Sequence, residues 1–181
     1  MKWWHRLVLA VSGAVLNFLL ASVIHSLDIP LYLDSLFTLL VTINVGLVPG
    51  LITALCTNGM LAIAGQVLFP FVLCHTLTVL IAYYFAVSRR LETHFGYLLM
   101  GLLIALANGI VGSVISFVIF EGVTFVHTID NLVMSILTTG KALASAVFWA
   151  GMLTNFMDKI IISIAAILFQ RPIERLISKT V

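Results

Sequence analysis

Charged residues are scarce in this sequence. Nine Lys and Arg and seven Asp and Glu make up 9% of the 181 residues, whereas 62% are hydrophobic and the mean hydropathy is +1.21. Soluble domains carry about 25% charged residues, so this composition excludes a water-soluble domain and predicts an integral membrane protein. The net charge of only +2 predicts no binding to nucleic acid.

Cysteines and catalytic motifs are equally scarce. Cys56 and Cys74 lie in apolar segments without a second Cys or His at metal-ligand spacing, so we expect them to fill space between helices. The sequence contains no Gly-x-Ser-x-Gly elbow, no His-Glu-x-x-His site and no Gly-x-x-x-x-Gly-Lys loop. We therefore expect a protein that is not an enzyme and that holds neither a metal nor a cofactor.

Long apolar runs dominate what is present. A membrane-spanning helix takes roughly 20 residues, and runs bounded by turn signals predict six such helices, at 7–27, 31–48, 51–65, 71–87, 95–120 and 142–169. A short helix is expected at 129–139. A single helix over 129–169 would be about 60 Å long, so we expect a break near Gly140. The prediction is one all-α membrane domain over 1–181.

Basic residues predict the orientation of this bundle. With the N-terminus in the cytoplasm, six crossings bring the basic residues near the helix ends to the inner side, as the positive-inside rule requires. These residues are Lys2, Arg6, Arg89, Arg90, Arg171, Arg175 and Lys179. We therefore expect a multi-pass protein of the cell membrane, bacterial inner or plasma membrane, with both termini cytoplasmic.

The first helix carries a narrow face of small residues. Ala10, Ala14, Asn17 and Ala21 recur at helical spacing, and such a face lets another helix approach closely. Two interpretations stay open from the sequence: packing within the bundle, or a docking surface for a separate membrane subunit.

Asp34 is the acid that most needs an explanation. A carboxylate at a membrane boundary is costly, and Thr38 and Thr42 extend it into a polar stripe at helical spacing. The carboxylate can cap its own helix through the amides that follow, or it can contact a ligand. Both alternatives stay open.

Polar residues also gather in the predicted outer loop 121–131 and beside it. Together with the segment around Asp34 they predict a ligand cavity formed by Tyr32, Asp34, Glu121, His127, Asp130, Asn131 and Lys141. Carboxylates would bind an amine or hydroxyl, Lys141 an anionic group and Tyr32 a ring face. Asp130 can instead cap the following helix, and Glu121 can be a solvated loop acid.

Two other sets of polar residues are assigned structural roles. His75, alone in an apolar helix, is expected to be a hydrogen-bonded core residue. Asn155, Asp158 and Lys159 fall on one helix face and predict a cluster with a structural or conformational role in the inner half, away from the outer loops.

Several of these segments, taken in order, resemble a known family. They are the Ala10-x-x-x-Ala14 face, the Pro30-Leu-Tyr-Leu-Asp34-Ser segment, the Gly46-Leu-Val-Pro49-Gly50 turn leading to Thr57-Asn58, and the closing Asp158-Lys159 helix. This order is similar to the substrate-binding S components of energy-coupling-factor transporters, of the poorly characterised kind, over nearly the whole chain.

The resemblance implies an uptake receptor that captures a vitamin or similar micronutrient. Its partners would be a small-molecule substrate, a membrane coupling subunit, two ATPase subunits and the lipid bilayer. The coupling subunit would dock on Ala10 and Ala14, and the ligand would lie under loops 28–34, 66–70 and 121–131. No pattern identifies the substrate. A membrane sensor or assembly module that binds without transport is the alternative.

Overall fold

The structure, a computed structural model, describes residues 1–66, 69–124 and 126–180. Within these ranges the chain forms seven α-helices, joined in part by 3₁₀ turns at Phe69–Phe71 and Arg90–Glu92, and no strand. The helices are α1 Trp3–Ser26, α2 Leu36–Val45, α3 Leu47–Ile63, α4 Val72–Val87, α5 His94–Phe120, α6 His127–Leu137 and α7 Leu143–Thr180. The prediction of an all-α bundle is confirmed. Parts of the predicted loops 66–70 and 121–131 lie outside the described residues.

Within the described residues, four segments are long and apolar enough to cross a membrane. They are Trp3–Ser26, Phe69–Val87, His94–Phe120 and Leu143–Arg175. The other two apolar helices are shorter, with 10 residues in α2 and 17 in α3. The predicted helix over 31–48 is too long at both ends, because residues 31–35 stay non-helical and the chain turns at Gly46.

The turn between α2 and α3 is shorter than the turn predicted over Gly46–Gly50. The two helices are joined by the single residue Gly46, whose φ of +117° favours glycine. Pro49 lies in the first turn of α3, where a missing N–H leaves no helical hydrogen bond unmade. A Cβ on Gly50 would overlap the Thr42 side chain, so α2 and α3 pack with their backbones close together.

Glycine also allows the close contact between α5 and α7. A Cβ on Gly101 would overlap the Ser163 side chain and lie 3.0 Å from the Lys159 carbonyl oxygen. The apolar core lies nearby, where Leu39 and Leu40 of α2 pack with Met100 of α5 and with residues of α4 and α7. The backbone of α7 around Lys159 is therefore fixed against α5.

Helix α6 closes one end of the bundle. Val133 of α6 packs on α7, and Thr128 Oγ1 donates a 3.5 Å hydrogen bond to the Ile29 carbonyl in the loop between α1 and α2. At the opposite end, the Asn44 and Gln170 side-chain amides join the end of α2 to α7. The predicted break near Gly140 is confirmed, since α6 ends at Leu137 and α7 begins at Leu143.

The small-residue face of α1 is occupied inside the bundle. Ala10 and Ala14 are both 0% exposed. The Ala10 carbonyl accepts a 3.0 Å hydrogen bond from Thr53 Oγ1, and Asn17 Nδ2 donates to Thr38 Oγ1 at 2.9 Å. This arrangement corresponds to the first of the two interpretations, in which the small residues pack against other helices of the same bundle. The expected docking of a coupling subunit on Ala10 and Ala14 is corrected accordingly, because α2 and α3 already cover that face.

We predict that Ala14→Trp destabilises the protein by roughly 3 kcal/mol or more, because the bulky ring has no space in a packed interior. Val15 is the matched control, since it is the next residue of α1 and 40% exposed. Val15→Trp should leave the thermal unfolding temperature of the detergent-purified protein nearly unchanged. Equal unfolding temperatures for the two variants would contradict the internal packing of this face.

Candidate functional site

A cavity lies near the closed end of the bundle, between α4, α5, α6, α7 and the loop that precedes α2. It encloses about 660 Å³ of space between atoms, counting its open mouth. Its apolar wall is formed by Phe71, Val126, Ile129, Val133 and Val147. Its polar and thiol side chains are those of Tyr32, Asp34, Cys74, His75, Asn108, Ser113, Ser116, Thr124, Asn155 and Lys159. Small-molecule pockets have this mainly apolar lining with a few polar groups.

Asp158 holds the loop between α1 and α2 inside the bundle. Its carboxylate is fully buried, and Oδ1 accepts hydrogen bonds from the backbone N–H groups of Tyr32 at 3.1 Å and Leu33 at 2.7 Å. Non-helical backbone needs such partners when it is buried among membrane helices. The loop consequently brings Tyr32 and Asp34 to the cavity.

Lys159 connects this loop to α7. Its Nζ lies 2.6 Å from Asp158 Oδ2, 2.7 Å from Ser35 Oγ and 3.9 Å from Asp34 Oδ1. The side chain is 4% exposed. A buried ammonium needs both a counter-charge and hydrogen-bond acceptors, and this one has both.

Asp34 faces the cavity from the end of the same loop. Its Oδ2 lies 3.1 Å from His75 Nε2 on α4, and its side chain is 7% exposed. Ser35 occupies the N-cap position of α2, and the N–H of Phe37 donates to Asn17 Oδ1 at 2.9 Å. The capping alternative for Asp34 is therefore corrected: Asn17 of α1 takes the Phe37 amide, while the Asp34 carboxylate faces α4 and α7.

The predicted site residues divide into two groups. Tyr32 and Asp34 line the cavity, whereas Glu121, His127, Asn131 and Lys141 are exposed and are not part of its lining. His127 Nε2 lies 3.2 Å from Asn131 Nδ2, one turn along α6. The ligand contacts expected of these four residues stay predictions.

Asp130 supports the loop before α6. Its Oδ1 accepts hydrogen bonds from the Thr124 backbone N–H at 2.8 Å and from Thr124 Oγ1 at 2.7 Å. Thr124 itself lines the cavity, whereas Asp130 does not. Asp130 therefore positions the wall of the cavity through Thr124, and a direct ligand contact is still only predicted for it.

Several polar residues of the cavity were not expected there from the sequence. His75, Asn108, Ser116 and Lys159 were not among the predicted ligand contacts, and the expectation that Asp158 and Lys159 lie away from the outer loops is wrong. The loop before α2 enters the bundle and meets them. The sequence did contain one indication of this contact. An acid and a lysine in apolar segments are costly to bury unpaired, so they are expected to pair with each other.

The described part of the chain contains no cluster of His, Cys, Asp and Glu that could hold a metal ion. Cys56 and Cys74 are free thiols, and Cys74 lines the cavity. A scan against family models finds no match, and searches of curated proteins and of solved structures find no similar protein.

We predict that Asp158→Asn lowers the free energy of unfolding by about 3–5 kcal/mol, the typical effect of breaking a buried ion pair. The amide oxygen can still accept from the loop, but its NH₂ group would face the Lys159 ammonium. Lys141→Ala is the control, because Lys141 is exposed and exposed substitutions usually change stability by less than about 0.5 kcal/mol. Chemical denaturation in detergent measures both, and equal stability would contradict the anchoring role of Asp158.

Proposed function

We propose that the protein is a membrane-embedded solute-binding subunit that captures a small molecule in the cavity beside Asp34, His75 and Lys159. The observation that carries this proposal is the meeting of these three ionisable side chains at a mainly apolar cavity of about 660 Å³. Buried ionisable groups among membrane helices are expensive and typically mark a ligand or ion pathway.

The fixed position of the polar groups supports binding. Asp158 and Ser35 hold Lys159, and His75 lies against Asp34, so these side chains lose little freedom when a ligand arrives. Sites that are already ordered bind more tightly, because less conformational entropy is lost on association. The apolar wall adds contact area for the remainder of the ligand.

The topology that we propose has six crossings, formed by α1 to α5 and α7, with both termini in the cytoplasm. The basic residues at the ends of these helices support it through the positive-inside rule. The cavity then lies in the outer half of the bundle, under α6 and the loop before α2. A solute from outside the cell would reach it from that side.

The specific role that we propose is that of an S component of an energy-coupling-factor uptake transporter for a vitamin or similar micronutrient in the cell membrane. The order of sequence segments that resembles this family supports it. A coupling subunit and two ATPases would supply the energy. Since Ala10 and Ala14 are buried, the coupling subunit would use another surface of the bundle.

We predict that filling the cavity removes the bound molecule. The test is Gly112→Leu, because a Cβ at Gly112 meets only Cys74 Sγ at 3.6 Å and a Phe71 ring carbon at 3.9 Å, so the larger side chain extends into the cavity. Native mass spectrometry of the protein in nanodiscs should detect a co-purifying small molecule in the wild type and lose it in this variant. Gly59→Leu is the control, since a Cβ there meets nothing within 4 Å and Gly59 is not among the cavity residues.

If the Gly112→Leu variant retains as much of the molecule as the wild type does, the binding site lies elsewhere. If the wild type carries no bound molecule, the result counts against solute capture. Once the molecule is identified, its uptake by cells separates the transport role from the sensor or assembly module. Loss of uptake on deletion of the gene is expected of a transporter subunit. Binding with unchanged uptake would favour the sensor.

We predict opposite labelling at the two ends of the bundle. In a Cys56→Ala/Cys74→Ala background, Lys141→Cys should react with a membrane-impermeant maleimide in intact cells, and Ser88→Cys only after permeabilisation. Both positions are exposed in the structure, so accessibility within the protein does not limit the reaction. The same pattern at both positions would contradict the proposed six crossings.

A further inference from the structure

Three buried polar atoms belong to residues that line the cavity and have no hydrogen-bond partner in the described part of the chain. They are His75 Nδ1, Asn108 Oδ1 and Ser116 Oγ. The three residues are only 2–4% exposed. Buried polar atoms in folded proteins are nearly always paired, so these three are open to polar groups of a ligand in the cavity.

Asn108 offers an acceptor to the cavity. Thr78 Oγ1 donates its proton to the Cys74 carbonyl oxygen at 3.1 Å. The hydroxyl oxygen can then only accept a further hydrogen bond, which comes from Asn108 Nδ2 at 2.9 Å. This arrangement fixes the orientation of the Asn108 amide. The unpartnered atom is its oxygen, which can accept but not donate.

His75 offers a second acceptor. Its Nε2 lies 3.1 Å from Asp34 Oδ2, and an ionised carboxylate only accepts, so a ring with one proton carries it on Nε2. The unpartnered Nδ1 then carries a lone pair. Ser116 Oγ can accept as well, so all three atoms suit a ligand that brings N–H or O–H donors.

The charges of the site favour a cation. Asp34 and Asp158 contribute two negative charges and Lys159 one positive charge, all of them buried. Lys159 Nζ lies 2.6 Å from Asp158 Oδ2 but 3.9 Å from Asp34 Oδ1, so among the described residues the Asp34 carboxylate has no close ammonium partner of its own. A buried carboxylate without such a partner is costly. Tyr32 and Phe71 also line the cavity, and aromatic faces attract organic cations.

We infer that the captured solute is an organic ammonium ion, a protonated amine on an apolar or aromatic body. This inference rests on the proposed solute-binding function and narrows its substrate class. The three ammonium N–H groups meet Asp34, His75 Nδ1 and the Asn108 oxygen, and the apolar body lies against the wall formed with Phe71. Ser116 lies two turns further along α5 and is open to a second donor on the ligand. Lys159 stays paired with Asp158 and is not available to an anion.

The test compares three molecules that share one skeleton. Isothermal titration calorimetry on the full chain in nanodiscs at neutral pH measures binding of 2-phenylethylamine, 2-phenylethanol and phenylacetate, which are a cation, a neutral hydroxyl compound and an anion. We expect the amine to bind at least tenfold more tightly than the alcohol and phenylacetate not to bind. Equal binding of amine and alcohol, or a preference for phenylacetate, would overturn the inference.

Variants separate the charge from the acceptors. Asp34→Asn should reduce the amine affinity at least tenfold and the alcohol affinity less than threefold. Asn108→Leu should also weaken amine binding, without any change of charge. Thr154→Val is its matched control, because Thr154 Oγ1 is likewise buried and unpartnered but Thr154 does not line the cavity. Equal effects of Asn108→Leu and Thr154→Val would overturn the role of Asn108, and an Asp34→Asn variant with unchanged amine binding would overturn the inference.

The outcomes distinguish this inference from the proposed function. A co-purifying molecule that lacks an amine, or selective binding of phenylacetate, would remove the ammonium ligand and leave solute capture standing. If none of the three compounds binds and the wild type carries no small molecule, both proposals fail together.

Discussion

The buried carboxylate of Asp158 is the interaction on which the cavity depends. It accepts two backbone amides from the loop before α2 and lies 2.6 Å from the ammonium of the neighbouring Lys159. A loop that enters a membrane helix bundle without such partners would leave its amides unsatisfied. Tyr32, Asp34 and Ser35 reach the interior because this one acid on α7 holds the chain that carries them.

The same arrangement links the helices around the cavity. Lys159 of α7 contacts Ser35 at the start of α2, and Asp34 joins them to His75 of α4. Buried ion pairs add little net stability over a well-packed apolar interior, although removing one partner is severe. Apolar residues would have sufficed for packing. We therefore infer that these charged groups are buried because they serve ligand binding.

The sequence predicted the helices better than it predicted the site. Apolar runs long enough for a membrane predict helices regardless of their neighbours, so the long helices and the break near Gly140 were expected. The partners of Asp34 were not, because they depend on how deeply the loop before α2 enters the bundle. Asp158 and Lys159 stand 16 and 17 residues into α7, far from its first turn. Only tertiary packing brings them to residues 32–35.

The occupied small-residue face has a consequence for how α1 can meet another protein. The side of α1 that remains outside carries large aliphatic residues, among them Leu7, Val11, Leu19 and Val23. Helices that meet through such side chains keep their axes about 8–10 Å apart, whereas small residues allow closer approach. Association through α1 would depend on the fit between aliphatic surfaces, which can slide and separate more readily than interlocked backbones.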